Sequence, residues 1–281
     1  AAKAIAAKYR THTAAGNRLP AGRTKGRKRD PQLRIAHWNM ARLTKTQVQL
    51  LDALPLDLII LSETHDTAAP LQHYSGPNRL LTTGLPDDKL DPAGAVAARM
   101  TARMAQFLRH WGPVPNTRKR AIYLHFETTD ARPLHVIGWY LPPDYKRPPQ
   151  ATQTEIMGGV QRYIQTLPSS YRLLLVGDTN IQTVRGLGGV MDKWCVRATL
   201  QELTKRKQAA TQELVRFCQE NDLVVASTRD YAKGNRRGHA ATWRLPGTTK
   251  MVGLDHTLAN QNMERDINWI RNEWRHSYRR W

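Results

Sequence analysis

Polar side chains end several apolar segments of the sequence. The segment LLLVGDTN runs into a carboxylate and an amide, Asp178 and Asn180. The same placement recurs at Asn39 in RIAHWNM, at Glu63 in DLIILSE and, near the end of its segment, at Tyr140 in HVIGWYLPP, while Asp255 lies in the late short segment LDHTLAN. Carboxylates and amides supply the oxygen atoms that a hard divalent cation such as magnesium prefers, and magnesium pairs with phosphate. The alternative is that these are ordinary turn residues, since Asp-x-Asn is typical of an Asx turn.

Such residues can act together only if strands carry them to one edge of a sheet. Apolar runs and alternation predict strands over 34–40, 57–63, 94–100, 105–114, 120–128, 133–143, 172–178, 223–228, 241–244 and 254–260. Helical spacing predicts helices over 46–54, 152–167 and 197–221. Strands in both halves of the chain with helices between them predict an α/β sandwich, in which helices lie outside two packed sheets.

The strongest bulk property is charge. The 281 residues carry a formal net charge of +20, which favours binding to a polyanion, either nucleic acid or an anionic membrane surface. The eight tryptophans favour nucleic acid slightly, because aromatic rings can stack on bases. No run of about 18 apolar residues occurs, so we expect no transmembrane helix and no membrane partner. The only cysteines, Cys195 and Cys218, predict neither a disulfide framework nor a zinc module.

The charge is concentrated in an N-terminal arm, residues 1–30, which precedes a predicted domain over 31–281. Nine Lys or Arg and no acidic residue precede Asp30, and such a segment cannot form a core alone. The predicted phosphate contacts lie in GRTKGRKR and in the C-terminal WRHSYRR, at Arg23, Lys25, Arg27, Lys28, Arg29, Arg279 and Arg280. A solvated tail and an organelle transit segment are the alternatives, so we expect a mitochondrial protein, with a nuclear location as the alternative.

The order of the motifs WNMARL, LSETH, GWYLPP, VGDTN, ATWRLP and GLDHTLAN resembles the endonuclease/exonuclease/phosphatase superfamily. Within that superfamily, which has the DNase I-like fold, the chain is most similar to the endonuclease domain of LINE-type retrotransposons and its cellular relatives. The resemblance extends from residue 33 to the C-terminus. It implies a four-layered α/β sandwich with two central mixed sheets flanked by helices.

The resemblance also implies a role for each polar residue. Glu63 and Asn39 would bind magnesium. Asp178, helped by Asn180, would activate the attacking water. Tyr140 would contact the scissile phosphate, and Thr242 and Asp255 would complete the hydrogen-bond network on the phosphate side. The reaction implied is hydrolysis of a phosphodiester bond, in which metal charge and hydrogen bonds offset the negative charge that develops.

The C-terminus departs from the family pattern, which ends in Ser-Asp-His. His276 stands where the family has its histidine, but Trp274 and Arg275 replace the serine and the aspartate. Arginine cannot accept the imidazole N–H that the aspartate would hold. His256 is a candidate substitute, but alternation along the strand points it to the face opposite Asp255.

Two functions of different classes follow from these observations. The missing Ser-Asp pair and the basic arm favour a catalytically impaired, RNA-binding subunit of a large ribonucleoprotein such as a mitochondrial ribosome, with RNA and other proteins as partners and no cofactor, and this is the function that the sequence predicts. The alternative, favoured by the retained polar residues, is an active magnesium-dependent endonuclease, as in a non-LTR retrotransposon. A phosphatase for small phosphates or lipids fits the fold but gives no reason for so basic a surface.

Overall fold

A computed structural model describes residues 33–40, 43–65, 78–84, 94–128, 132–143, 149–184, 187, 189–191, 199–228, 243–244, 251–252, 254–267 and 270. The predicted arm over 1–30 lies outside these residues. Four predicted site residues from the C-terminal motifs also lie outside the described residues, namely Thr242, His276, Arg279 and Arg280.

The first sheet has four strands in the order β1-β2-β4-β3. They are β1 (Ile35–Asn39), β2 (Leu58–Ser62), β3 (Arg79–Thr82) and β4 (Ala97–Met100). β1 and β2 are parallel, whereas β4 is antiparallel to both of its neighbours. β2 is buried along its whole length, which explains why its sequence LIILS is apolar without alternation until its last residue.

The second sheet has six strands in the order β5-β6-β7-β8-β12-β9. They are β5 (Leu108–Pro113), β6 (Ala121–Phe126), β7 (Leu134–Tyr140), β8 (Arg172–Asp178), β9 (Leu223–Val225) and β12 (Asp255–Asn260). β7 and β8 are parallel and the other neighbours are antiparallel. The short strands β10 (Trp243–Arg244) and β11 (Met251–Val252) pair separately.

Five α-helices accompany the sheets within the described residues. They are α1 (Lys45–Asp52), α2 (Ala102–Ala105), α3 (Pro149–Gln165), α4 (Lys205–Glu220) and α5 (Gln261–Glu264). The helix predicted over 197–221 is shorter in the structure, because the Thr204 hydroxyl accepts from the Lys207 backbone N–H and caps α4. A 3-10 helix at Leu200–Glu202 comes before this cap. No helix in the described part of the chain combines the length and apolar character needed to cross a membrane.

Three apolar clusters separate four layers. α1 packs its Val48 and Leu51 on the outer face of the first sheet. Ile60 and Val136 represent the cluster between the two sheets. α3 and α4 cover the outer face of the second sheet, where Trp139 is fully buried. The predicted four-layered α/β sandwich is therefore confirmed.

The strand pairings bring five strand ends to one rim of the sandwich. β1 and β2 end together because they are parallel, and so do β7 and β8. β12 begins at the same rim, since Asp255 is the direct antiparallel partner of Asp178. Residues with alternate numbers face the same side of a strand, so Asp178 faces the inter-sheet space like Val176, which lies in the inter-sheet cluster.

Candidate active site

Asp178 lies at the centre of the rim, at the end of β8. Its side chain is held by two donors, the Asn39 Nδ2 at 2.8 Å from Oδ2 and the Asn180 backbone N–H at 2.9 Å from Oδ1. Asn180 in turn donates its Nδ2 to the Leu141 carbonyl at 2.9 Å, which anchors the turn to the end of β7. The bond from the Asn180 N–H has the pattern of an Asx turn, but the second oxygen reaches across to the other sheet. The turn therefore also presents the carboxylate to a partner that is distant in sequence.

The electrostatic surroundings of Asp178 are unusual for an aspartate. Its pKa is raised well above the ordinary value, first by burial and then by the neighbouring Asp255, with a smaller contribution from Glu63. The hydrogen bonds from Asn180 and Asn39 act in the opposite direction, because they favour the ionised form. Three acidic residues thus act on one another at a rim where Asp178 is only 5% exposed, which is a feature of functional sites more than of ordinary surfaces.

Asp255 has a partner that the sequence analysis missed. The His37 Nδ1 lies 3.3 Å from the Asp255 Oδ1, and the His37 Nε2 lies 2.9 Å from the Ser62 Oγ. His37 and Asn39 share one face of β1, with a spacing of two residues that was visible in RIAHWNM. The pairing itself could not be predicted from the sequence, because β1 and β12 belong to different sheets.

Glu63 and Asn180 share a backbone conformation that is uncommon for residues other than glycine. Their φ angles are both 51°, in the left-handed region. Neighbouring backbone bonds hold the Glu63 turn, since Thr64 donates to the Ala95 carbonyl and accepts from the Leu43 N–H. Two of the predicted site residues therefore sit in constrained turns, which is a recurring property of functional positions.

Tyr140 is the direct partner of Asp178 on the neighbouring strand, but its side chain is fully buried. The guanidinium of Arg120, also fully buried, lies 5.6 Å from the centre of the Tyr140 ring, within the range of a cation–π contact. Gly94 closes this pair, since a Cβ there would overlap the Arg120 guanidinium and lie 3.0 Å from the Tyr140 Cδ1. The predicted contact of Tyr140 with a phosphate stays a prediction.

His256 lies apart from the acidic residues. Its Nε2 contacts the Ile181 carbonyl at 2.8 Å, and burial lowers its pKa. As its alternation with Asp255 indicated, it is directed to another face of β12. His256 is therefore a buried structural residue in this arrangement and does not replace His276.

The chemistry of the donor set fits a magnesium ion. Among the described residues, no group of three or more His, Cys, Asp or Glu side chains is spaced to hold a metal ion by itself. Magnesium does not require such a cage, because it usually keeps several waters and binds through one or two carboxylates together with substrate phosphate. Oxygen donors are concentrated here, at Glu63, Asn39 and Asp178. Burial is the largest cause of the raised pKa of Asp178, and the neighbouring charges of Asp255 and Glu63, which also raise it, are ones that a cation would offset.

Solved structures of two other proteins resemble the chain at low sequence identity. The catalytic domain of Xenopus laevis APE2 aligns with a TM-score of 0.61 at 15% identity, over 83% of this chain and 84% of that one. The AP endonuclease LMAP from Leishmania major aligns with a TM-score of 0.58 at 12% identity, over 83% and 80% of the two chains. Both belong to the endonuclease/exonuclease/phosphatase superfamily.

The chain has the DNase I-like fold. The fold that the motifs indicated is thereby confirmed, while membership of the superfamily and the closer similarity to the LINE-type branch stay predictions. No family model and no curated protein sequence matches the chain. The comparisons therefore establish the fold and leave the activity to be argued from the residues at the rim.

Proposed function

We propose that this chain hydrolyses phosphodiester bonds in nucleic acid with the help of a divalent cation. The observation that carries the proposal is the state of Asp178. Two donors fix its carboxylate, burial and two neighbouring acids raise its pKa, and it lies at the shared rim of both sheets. A carboxylate that served only as a turn residue would need the bond to Asn180 but neither the cross-sheet bond from Asn39 nor the facing Asp255.

The raised pKa suits a proton acceptor. A water molecule that attacks a phosphodiester must lose a proton, and a carboxylate with a raised pKa accepts it more readily than an ordinary one once it is ionised. Asn39 and Asn180 orient the carboxylate, since each holds one of its oxygens. The main-chain bond from the Asn180 side chain to Leu141 keeps that arrangement fixed relative to β7, so little reorganisation is needed during the reaction.

Glu63 and Asn39 are the residues that would hold the cation. A magnesium ion bound there supplies positive charge against the charge that develops on the phosphate. The left-handed turn at Glu63 sets where its carboxylate leaves β2. On this proposal the negative charge around Asp178 serves to attract the cation, while burial keeps the carboxylate more basic than an exposed one.

Nucleic acid is a better substrate for this chain than a small phosphate ester. The net charge of +20 attracts a polyanion through many phosphate contacts, whereas a single small phosphate needs only the few cations of its own site. The alternative function, a nuclease fold kept for RNA binding in a ribonucleoprotein, rests on the arm over 1–30 and on the C-terminal motif. Both lie outside the described residues, so this alternative stays a prediction.

A nicking assay tests the proposal. Purified protein is incubated with supercoiled plasmid, structured RNA and p-nitrophenyl phosphate, each in magnesium and in EDTA. Asp178→Asn removes the charge and keeps the size, and Asp222→Asn is the matched control, because Asp222 is exposed and its φ of 52° suits asparagine. We expect magnesium-dependent cleavage of a polymer by the wild type and by the control, and a loss of about 100- to 10,000-fold in Asp178→Asn.

The other outcomes separate the competing functions. Tight RNA binding without cleavage by any protein would support the ribonucleoprotein subunit and overturn the proposal. Hydrolysis of the small ester without cleavage of either polymer would indicate a phosphatase. Cleavage at the wild-type rate by Asp178→Asn would show that the activity comes from another site or another protein.

A further inference from the structure

Two side chains of β1 face two opposed carboxylates at the rim. The Asn39 Nδ2 lies 2.8 Å from the Asp178 Oδ2, and the His37 Nδ1 lies 3.3 Å from the Asp255 Oδ1. Asp178 and Asp255 are direct partners in the antiparallel pair of β8 and β12, where side chains on one face have Cβ atoms about 5 Å apart. Each of the two carboxylates therefore has its own partner on β1.

The ring of His37 is fixed at both nitrogens. Its side chain is 9% exposed, and its Nε2 lies 2.9 Å from the Ser62 Oγ. An ionised carboxylate can only accept, so the Nδ1 that faces Asp255 carries a proton, and the Nε2 shares a hydrogen bond with the Ser62 hydroxyl. The order of groups is that of a Ser-His-Asp hydrolase triad. Ser62 is fully buried, however, so its hydroxyl is not placed to attack a substrate and the arrangement serves to hold the ring.

We propose that His37 is a positioning residue for the hydrolysis, which holds the Asp255 carboxylate in place beside Asp178. Opposed like charges on directly paired residues repel each other, and the effect is strong here because Asp178 is nearly buried. A donor on each side offsets that repulsion and fixes both carboxylates. The link joins the first sheet to the second at the rim, and it requires no residue of the C-terminal motif. This inference rests on the proposed function.

The conservative and the disruptive replacement of His37 distinguish positioning from packing. His37→Leu keeps much of the volume and removes the donor, whereas His37→Asn keeps an amide N–H near the position of Nδ1. We expect kcat to fall about 10- to 100-fold in His37→Leu, with KM for the nucleic acid unchanged, and to recover in His37→Asn. His110→Leu is the matched control, since His110 is an exposed histidine on β5, an edge strand of the second sheet.

A double-mutant cycle tests whether His37 acts through Asp255. If it does, the double variant His37→Leu/Asp255→Asn cleaves no more slowly than Asp255→Asn alone. Effects that multiply, or a wild-type kcat in His37→Leu, would overturn the inference. The midpoint of urea unfolding is a second measurement, which needs no activity. It is taken for the wild type, the two single variants and the double variant, and replacements of two side chains in contact shift it non-additively.

The two readings keep the inference separate from the proposed function. Additive midpoint shifts would overturn the role of His37 whether or not the wild type cleaves. Non-additive shifts in a wild type that does not cleave would support the contact of His37 with Asp255 and overturn the proposed function alone.

Discussion

Replacing Asp178 by asparagine should stabilise the fold while it abolishes cleavage. Burial, Asp255 and Glu63 all raise the pKa of Asp178 above its reference value of 3.8. A carboxyl whose folded pKa lies above its unfolded pKa binds its proton more tightly in the folded state. The folded state is therefore penalised when the group ionises. The penalty is absent below the unfolded pKa, grows as the pH rises towards the folded pKa, and is constant above it.

The expected size follows from the contacts that the variant keeps and loses. Each unit by which the folded pKa exceeds the unfolded one corresponds to about 1.4 kcal/mol. An asparagine at this position keeps one oxygen for the Asn180 N–H, whereas Asn39 must turn its amide to face the new donor. The weakening of that bond offsets part of the gain. We expect the free energy of unfolding to rise at pH 8, by the roughly 0.5–2 kcal/mol that is typical of a single stabilising substitution.

Urea unfolding at pH 4 and at pH 8, in EDTA, measures this difference for the wild type, Asp178→Asn and Asp222→Asn. The gap between Asp178→Asn and the wild type should open as the pH rises, while Asp222→Asn follows the wild type. Magnesium should narrow the gap at pH 8, since the cation binds the folded wild type more tightly than the less negatively charged variant and therefore stabilises the wild type more. A variant that is less stable than the wild type at pH 8, or a gap that does not depend on pH, would refute the reasoning.

Three further predictions concern the rest of the chain. Burial and the stacked His125 lower the pKa of His135 to about 4, whereas its unfolded value is 6.5. The unfolded chain therefore takes up the proton first, and the free energy of unfolding falls by up to about 3 kcal/mol from pH 6.5 to pH 4. Urea unfolding of His135→Leu should lack this part of the decrease in stability at acid pH. Gly94→Ala should lower the free energy of unfolding by about 1–3 kcal/mol and slow cleavage, because the new Cβ meets Arg120 and Tyr140. Gly158→Ala is the control, since its Cβ would lie 3.6 Å from the Arg162 Nη1, and it should lower neither the thermal stability nor the rate of nicking. Deletion of residues 1–29 should weaken RNA binding and flatten its salt dependence, and an unchanged slope would remove the arm from the interface.

The fold was predictable where burial controls the sequence. β2 and β8 are buried along nearly their whole length, so their apolar runs were visible and their polar ends stood out. Parallel pairing then brings such ends together. β3 was missed because its four residues, RLLT, are too few to form a pattern and only Leu81 among them is buried. The helix α4 was predicted to begin too early, because the helical spacing of the sequence continues through Thr204. The Thr204 hydroxyl caps the helix, which therefore begins at Lys205.

The proximity of three candidate residues could be predicted from the sequence, but their contacts could not. Asn39 and Asp178 were predicted from their places at strand ends and Asp255 from a late short strand, and the structure brings the three together. Their roles in a reaction stay predictions. His37 carried no local signal, because a histidine in the middle of a strand is usually a packed residue. Its role emerges only from the packing of one sheet on the other, which no periodicity within β1 encodes.

The position of the site explains why its chemistry depends on the fold. Along each of three strands, the face that packs between the sheets changes from apolar to polar at the rim, as in Ile35-His37-Asn39, Ile60-Ser62 and Leu174-Val176-Asp178. The polar residues are thus the last layer of the inter-sheet core. The apolar layer beneath them excludes water and raises the pKa of Asp178, while the facing sheet supplies the donors that an isolated strand end would lack. Because both effects need the two sheets in contact, the basicity of Asp178 and the stability of the sandwich are set by the same packing, and neither can be changed at the rim without altering the other.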